Sequence, residues 1–419
     1  MKKYSSTKKE RFAWALYDFA NSAFPTVIVT AVYVIYFKNV VVGNELPGYS
    51  DKLWGIANSA GAALVFLMAP FLGAVADLSG KKRFFWVFFA LMSIAATATL
   101  SLTGQGTVLL AMAAFIIALT GFEASTVFYN SFLPELVPPD KIDRLSGAGW
   151  ALGYLGGLGC LAIVLPVAMD GTNIKLVALI VAAWFLLFSI PSFVSIKDRS
   201  EGTSAMAWTE GFNRLKNTVL EIKKHKNLVR FLTAYFFYNN AVVTIIVFAV
   251  AFSKDSLQFS TTENILLVLV MNIIAAPGAY FFGMFSEKMG SKKTIVITLV
   301  LWLFVVLGAE LSAWPDLFSA ADSKLVFWGV AVLASLGIGA IQSTSRTFVG
   351  QMAPTGRSAE FYGFMAFSGK GSAILGPLVF GLVSSCFASQ RAAILSIGLF
   401  FLIGLILMIF VNQEREKDE

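Results

Sequence analysis

Four ionisable residues lie inside long apolar runs of this sequence, where a charge is costly and therefore points to function. Asp18 and Glu123 are in the first half, and Arg346 and Lys370 are in the second. A zwitterionic solute suits this division, because its ammonium would meet an acid and its carboxylate would meet a base. Two alternatives stay open: the residues pair with one another as a gate, or they join neighbouring helices without touching a solute.

Glu123 is the candidate for binding a proton. It has no other acid nearby in its run, and a carboxyl group in a cavity of low dielectric constant can load and unload a proton near neutral pH. Asp18 lies closer to the end of its run. For Asp18, a binding role and a role as a polar anchor between helices are both open.

Phenol and amide groups accompany these charges in two matching stretches. They can hydrogen-bond a small polar solute, or they can hydrogen-bond neighbouring helices instead. The residues are Tyr17, Asn21, Tyr238 and Asn239.

The composition is that of an all-α membrane protein. The chain has 419 residues, of which 57% are hydrophobic and 14% charged, against about 25% charged in soluble domains. This excludes a nucleic-acid-binding protein and predicts a lipid bilayer as the surroundings. Twelve apolar runs are long enough to cross about 30 Å of hydrocarbon. They are 13–41, 53–76, 84–103, 107–133, 146–168, 174–195, 229–253, 263–285, 294–313, 325–350, 359–385 and 390–411.

No motif of an enzyme or an ATP-driven pump is present. The sequence has no Walker loop, no metal-ligand spacing and no nucleophile motif, and its single histidine, His225, lies in a basic loop. We therefore expect no cofactor, no metal and no catalytic residue. Secondary transport, or a membrane receptor or scaffold that does not transport, remains.

Positive charges predict the orientation. Of the 32 lysines and arginines, 24 fall in loops on one side of the predicted membrane and six on the other. The positive-inside rule then places both termini in the cytoplasm. The start of the chain has no apolar core before Arg11, so we expect no cleaved signal peptide. We further expect an integral protein of the cell (inner or plasma) membrane that acts as a monomer.

The two halves of the sequence match each other. Tyr17 corresponds to Tyr235 at an offset of 218 residues, and Gly147 corresponds to Gly363 at an offset of 216. This predicts two pseudo-symmetric six-helix bundles, residues 1–195 and 229–419, with a substrate site between them near the midplane. Residues 196–228 form the cytoplasmic linker. Within it, an apolar stripe predicts an amphipathic helix on the inner membrane surface, with a plain tether as the alternative: Trp208, Phe212, Leu215, Val219 and Ile222, with Arg214, Lys216, Lys223 and Lys224 nearby.

A glycine-rich basic loop also occurs twice. The first copy runs from Gly73 through Asp77 and Gly80 to Lys81, Lys82 and Arg83, and the second has Gly283, Glu287 and Gly290 before two lysines. Each copy joins two predicted spans by a tight turn. The lysines and arginine are interpreted as orientation charges and headgroup contacts.

The first loop resembles the loop motif of the major facilitator superfamily of transporters. Two further stretches, Trp14–Phe24 and Val127–Leu136, resemble the vacuole-effluxer branch of that superfamily. The sequence departs from this branch at Tyr238-Asn239-Asn240-Ala241, where members often have Tyr-Asn-Asp-Gly.

The resemblance implies alternating access with a small polar cargo, and fungal members of the branch are associated with amino-acid export from the vacuole. It implies that Asp77 holds an inner gate by facing the helix that starts near Ala359, and that Glu287 does the same for the helix near Ser146. Amino acids, moved with or against protons, are then the expected cargo. Sugars, peptide-like solutes and drug-like solutes are the alternatives.

Overall fold

The chain is helical throughout the part that the structure describes. The computed structural model describes residues 6–43, 48–169, 173–199, 202, 207–220, 225–314, 317–387 and 390–412, and these contain no strand. Twelve helices among them are long and apolar enough to cross a membrane. The predicted all-α fold with twelve spans is confirmed.

The twelve spans, numbered in chain order, lie close to their predicted positions. Span 1 covers Lys8–Val42 and consists of short segments, Lys8–Asn21, Phe24–Ala31, Tyr33–Tyr36 and Phe37–Val42. Spans 2 to 6 are Tyr49–Ser79, Lys82–Thr99 continued by Leu100–Leu102, Val108–Ser131 continued by Leu133–Leu136, Ile142–Met169 after a turn at Pro139–Lys141, and Ile174–Ser195. Spans 7 to 12 are Lys226–Leu257, Thr261–Met289, Ser291–Ser312, Ala320–Met352, Ser358–Phe387 and Gln390–Ile409.

A short helix, Ala207–Leu220, lies in the predicted linker; we call it the linker helix. The Trp208 ring packs at a tilt against the rings of Phe71 and Phe85, while Trp208 and Phe212 keep 58% and 61% of their surface exposed. Its glycine, Gly211, contacts Val75 of span 2. Ile222 of the predicted stripe and its basic neighbours Lys223 and Lys224 lie outside the described residues.

The helices form two compact units that are discontinuous in sequence. The first contains Met1–Pro138, Leu152–Lys216 and Thr355–Ala366, and the second contains the rest. The beginnings of spans 5 and 11 therefore belong to a different unit from the remainder of those spans. Close glycine-mediated contacts cause this exchange, and the division into bundles 1–195 and 229–419 with linker 196–228 stays a prediction about the repeat.

Equivalent hydrogen bonds recur inside the two units. In the first unit the Tyr17 hydroxyl donates to Ser125 Oγ over 2.9 Å, and in the second the hydroxyls of Tyr238 and Ser345 are 2.8 Å apart. Both pairs join the first helix of a half to its fourth. The structural counterpart of Tyr17 is thus Tyr238, almost one helical turn beyond Tyr235, which the sequence match had assigned.

Candidate functional site

The carboxylate of Asp77 caps the beginning of span 11. Its two oxygens accept hydrogen bonds from the backbone N–H groups of Ala359 and Glu360, over 3.2 and 2.9 Å. The first N–H groups of a helix have no partner within the helix, and they carry partial positive charge. Asp77 satisfies two of them from a buried position, which is where the resemblance had placed its charge.

Lys82 completes this contact and was misinterpreted from the sequence. It is only 1% exposed, so the expectation that it contacts headgroups is wrong. Its ammonium lies 2.9 Å from Asp77, 2.6 Å from Glu135 and 2.7 Å from Ser358 Oγ. A buried lysine needs such partners because an unpaired charge in the interior is very costly.

The two basic neighbours of Lys82 are exposed. Lys81 directly precedes the first residue of span 3. Arg83 donates from its guanidinium to the carbonyl oxygen of Phe193. The backbone N–H of Arg83 donates to Asp198 over 2.9 Å. Burial raises the pKa of the Asp198 carboxyl, and this hydrogen bond opposes that rise.

Glu360, in the first turn of span 11, brings the linker helix into the same cluster. Its carboxylate is fully buried and binds Arg357 over 2.8 Å and Arg214 of the linker helix over 2.9 Å. Arg214 was expected to face the membrane surface; instead it neutralises a buried acid. The linker helix is therefore fastened to span 11 by charge as well as to span 2 by packing.

Glycines allow spans 2 and 11 to cross at backbone contact. A Cβ atom on Gly73 would lie 2.4 Å from the carbonyl oxygen of Ala359, and one on Gly363 would lie 2.5 Å from that of Ala69. No side chain fits at either position without moving a backbone. Span 2 then ends at Gly80, whose φ of 65° favours glycine.

The second copy of the loop makes an equivalent crossing inside the second unit. A Cβ on Gly147 of span 5 would lie 2.5 Å from the carbonyl oxygen of Ala279 and 3.0 Å from the Cα of Gly283. Gly290, with φ 91°, ends span 8. The glycines of the two copies therefore have matching functions in packing.

The acid at this second crossing is Asp143 rather than Glu287. Asp143 lies in the first turn of span 5, is 3% exposed, and is hydrogen-bonded to the hydroxyls of Ser286 and Ser291 and to the side-chain amide of Gln351. Glu287 is half-buried and acts on Asp143 as a neighbouring like charge. The buried carboxylate at this crossing thus lies on span 5, and not on the glycine-rich loop at the end of span 8.

Arg346 fastens span 10 to the same part of span 5. Its Nε donates to Ser146 Oγ over 2.9 Å, its Nη2 donates to the Ser146 carbonyl over 2.6 Å, and its guanidinium lies 5.5 Å from the ring centre of Trp150. Arg346 is 3% exposed. Of the roles considered for it, this geometry favours helix fastening over contact with a solute.

Three of the four phenol and amide candidates contact neighbouring helices. Tyr17 and Tyr238 are buried on Ser125 and Ser345, and Asn21 is buried, with the Ser22 hydroxyl beside its amide oxygen. The amide of Asn239 donates to Ser372 Oγ of span 11 over 2.8 Å. Tyr17, Tyr238 and Asn239 therefore hydrogen-bond neighbouring helices in this conformation, whereas Asn21 contacts the adjacent Ser22.

Three ionisable candidates remain. Asp18 is buried in span 1, and its Cβ lies 3.5 Å from the position of a Cβ on Gly153 of span 5. Glu123 of span 4, in the first unit, and Lys370 of span 11, in the second, are both half-buried.

Sequence reasoning missed the residues that surround the candidate gate clusters. These residues lie at the ends of spans, where a hydropathy profile assigns polar and charged side chains to loops. They are Lys82, Glu135, Asp143, Glu360 and Gln351. A usable signal exists for one pair, because Asp77 and Lys82 flank the turn at Gly80 and can meet across it. The others meet only through tertiary packing.

Comparisons with known proteins identify membrane transporters as the similar proteins. Residues 55–419 match the family described as "Vacuole effluxer Atg22 like". An uncharacterised MFS-type transporter, YxiO of Bacillus subtilis, is 28% identical over 98% of this chain and 96% of its own length. Autophagy-related protein 22-1 of Aspergillus fumigatus is 24% identical over 66% of this chain, which spans about half the length of that protein. The crystal structure of the human organic anion transporter MFSD10 (TETRAN) superposes with a TM-score of 0.76 at 14% identity, over 96% of this chain and all of that one, which shows a shared fold.

Proposed function

The chain belongs to the vacuole effluxer Atg22-like family of major facilitator transporters, and on that premise we propose that it carries amino acids across the membrane by alternating access, with proton coupling. It is a multi-pass membrane protein with a small-molecule substrate.

The observation that carries the cargo assignment is the pair of half-buried ionisable side chains. Glu123 lies within span 4 and Lys370 within span 11, both inside helices long and apolar enough to cross a membrane. A charged side chain inside a membrane costs free energy, so charged residues found there are expected to bind a charged ligand. An amino acid carries a complement for each kind of charge, an ammonium for the acid and a carboxylate for the base.

Glu123 also takes the coupling proton in this proposal. A carboxyl group that binds an ammonium when ionised releases it when protonated, so one residue can exchange cargo for a proton. Opposite charge on the two groups gives selectivity for zwitterions, because a monoamine or a monocarboxylate satisfies only one of them.

The two crossings act as cytoplasmic gates. Asp77 with Lys82 holds the start of span 11, and Asp143 with Ser286 and Ser291 holds the start of span 5. Each contact involves a helix end that must be released when the cytoplasmic side opens. The protein works as a monomer in the cell membrane, with both termini in the cytoplasm.

Uptake in proteoliposomes tests the cargo assignment. Labelled neutral amino acids are compared with a monoamine and a monocarboxylate of the same size, for wild type, Glu123→Gln, Lys370→Met and the control Lys254→Met, whose lysine is exposed at the end of span 7. We expect uptake of the zwitterion only, at least tenfold lower in the Glu123 and Lys370 variants and unchanged in the control. Equal uptake by all four proteins would reject the assignment of these residues.

A further inference from the structure

Asp143 differs from three other buried acids, each of which is paired with a cation. Asp77 pairs with Lys82, Glu360 with two arginines, and Glu310 at the far end of span 9 with Arg391. Within the described part of the chain, no lysine or arginine forms an ion pair with Asp143. Its hydrogen-bond partners, two serine hydroxyls and one side-chain amide, are all neutral.

The charged groups on the surrounding helices do not neutralise it. Span 8 contributes Glu287, which is a like charge, and an exposed Lys288. On span 9, Lys292 donates to the carbonyl of Ile409 and Lys293 is exposed; on span 10, Arg346 is bound to Ser146. Lys141, in the turn before span 5, and Arg144, on the helix of Asp143, are both exposed.

The orientation of the Gln351 amide is fixed by a backbone carbonyl. Gln351 Nε2 lies 3.1 Å from the carbonyl oxygen of Pro139 and 3.1 Å from Asp143 Oδ2. A carbonyl oxygen only accepts, so the nitrogen must point toward it, and Gln351 Oε1 must point to the other side. That oxygen lies 2.8 Å from Ser291 Oγ.

The cluster then needs one more proton than its hydroxyls supply. Three oxygen-to-oxygen contacts require a proton: Ser286 with Asp143, Ser291 with Asp143 over 3.0 Å, and Ser291 with Gln351. The two serines have one hydroxyl proton each. If Asp143 is ionised, the Ser291 hydroxyl can donate its proton to Asp143 or to Gln351 Oε1 but not to both. The Ser291 oxygen then lies against an oxygen with no proton between them, and the two repel each other.

A protonated Asp143 satisfies every contact. Its O–H donates to Ser291 Oγ, Ser291 donates to Gln351 Oε1, and Ser286 and the Gln351 amide donate to the carboxyl oxygens. We infer that Asp143 is a proton-binding site that is occupied when span 5 is fastened to spans 8, 9 and 10. This site is separate from Glu123. The inference does not depend on the identity of the transported cargo.

Releasing the proton weakens the fastening. The ionised carboxylate and the Gln351 oxygen then compete for one hydroxyl proton, and a buried charge is left without a cation. Loss of the proton thus favours separation of span 5 from its neighbours. The cytoplasmic gate of the second unit is expected to respond to pH, whereas the gate at Asp77 is held by an ion pair.

Infrared spectroscopy of the full-length protein in lipid tests this inference without measuring transport. The carbonyl stretch of a protonated carboxyl group is compared at neutral pH in wild type, Asp143→Asn and Asp77→Asn. We expect the band to be weaker by one carboxyl group in Asp143→Asn and unchanged in Asp77→Asn, because Lys82 and two backbone N–H groups keep that acid ionised. A spectrum of Asp143→Asn identical to wild type would overturn the inference.

Ser291→Ala provides a second test should Asp143→Asn fail to fold. Removing the hydroxyl takes away the acceptor of the carboxyl proton, so the same band should move in frequency or disappear. Unfolding at several pH values adds a thermodynamic check. Because Asp143 holds a proton in the folded protein and loses it on unfolding near neutral pH, stability falls as pH rises, by up to tenfold in the unfolding constant per pH unit. A band unmoved by Ser291→Ala would contradict the assignment.

Discussion

Two neighbouring lysines show how much a single position decides. Lys81 is exposed, whereas Lys82 is buried between Asp77 and Glu135. In sequence they are indistinguishable members of a basic loop. The difference arises because the turn at Gly80 directs only Lys82 back toward the end of span 2.

This pair gives a matched test of stability. Lys82→Met leaves the buried carboxylate of Asp77 without its cation, so we expect a loss of about 3–5 kcal/mol in the free energy of unfolding. Lys81→Met should change it by no more than about 0.5 kcal/mol. Thermal denaturation of both variants in the same detergent measures the difference, and equal melting temperatures would contradict the burial of Lys82.

Asp77→Asn tests the gate rather than the fold. The amide keeps the size of the side chain but loses its charge, and one of its two acceptor oxygens, at the N–H groups of Ala359 and Glu360. We expect transport to fall about tenfold while the protein stays in the membrane at wild-type level. Flux in reconstituted vesicles, normalised to protein, checks this, and unchanged flux would count against a gating role.

At the scale of helices, glycine positions decide how closely spans approach. The crossings of span 2 with span 11 and of span 5 with span 8 leave no room for a side chain. Both crossings use glycines that the repeat had paired. The repeat thus indicated which positions matter, and packing supplies the reason.

Gly73→Ala and Gly55→Ala form a second matched pair, both within span 2. A methyl group at Gly73 would lie 2.4 Å from the Ala359 carbonyl oxygen, while the space around Gly55 is empty to 4 Å. Gly73→Ala should therefore reduce transport strongly and lower the melting temperature, and Gly55→Ala should do neither. Similar behaviour of the two variants would show that the crossing tolerates separation.

The linker helix is expected to depend on one ion pair. Arg214→Gln removes a cation from the buried Glu360, which we expect to weaken docking by about 1.5–3 kcal/mol. Lys216→Gln, at an exposed position of the same helix, is the control. Limited proteolysis of the linker should be faster in Arg214→Gln only. Equal cleavage of the two variants and wild type would mean that packing on span 2 alone holds the helix.

For the whole molecule, the fold follows from the sequence and much of the candidate site does not. Apolar runs of sufficient length are a direct physical requirement of the bilayer, so the twelve spans are readable. Tyr17 and Arg346 were candidates for contact with a solute because hydropathy does not fix helix rotation. The structure turns Tyr17 toward Ser125 and Arg346 toward Ser146.

The exchange of helix ends between the two compact units was also beyond the sequence. The start of span 5 packs on Gly283, and the start of span 11 packs on Gly73. A repeat pattern shows which residues correspond, but it contains no information on which distant segment each one touches. Asp143 illustrates this, since its partners Ser286, Ser291 and Gln351 come from three other spans.

The most direct test of the central claim is counterflow in proteoliposomes. Vesicles loaded with unlabelled amino acids are diluted into trace labelled ones, with protein-free vesicles and vesicles containing Glu123→Gln alongside. We expect protein-dependent accumulation of label by wild type, and at least tenfold less accumulation in the variant, which lacks the carboxylate for the cargo's ammonium. No accumulation by folded wild-type protein would contradict amino-acid transport.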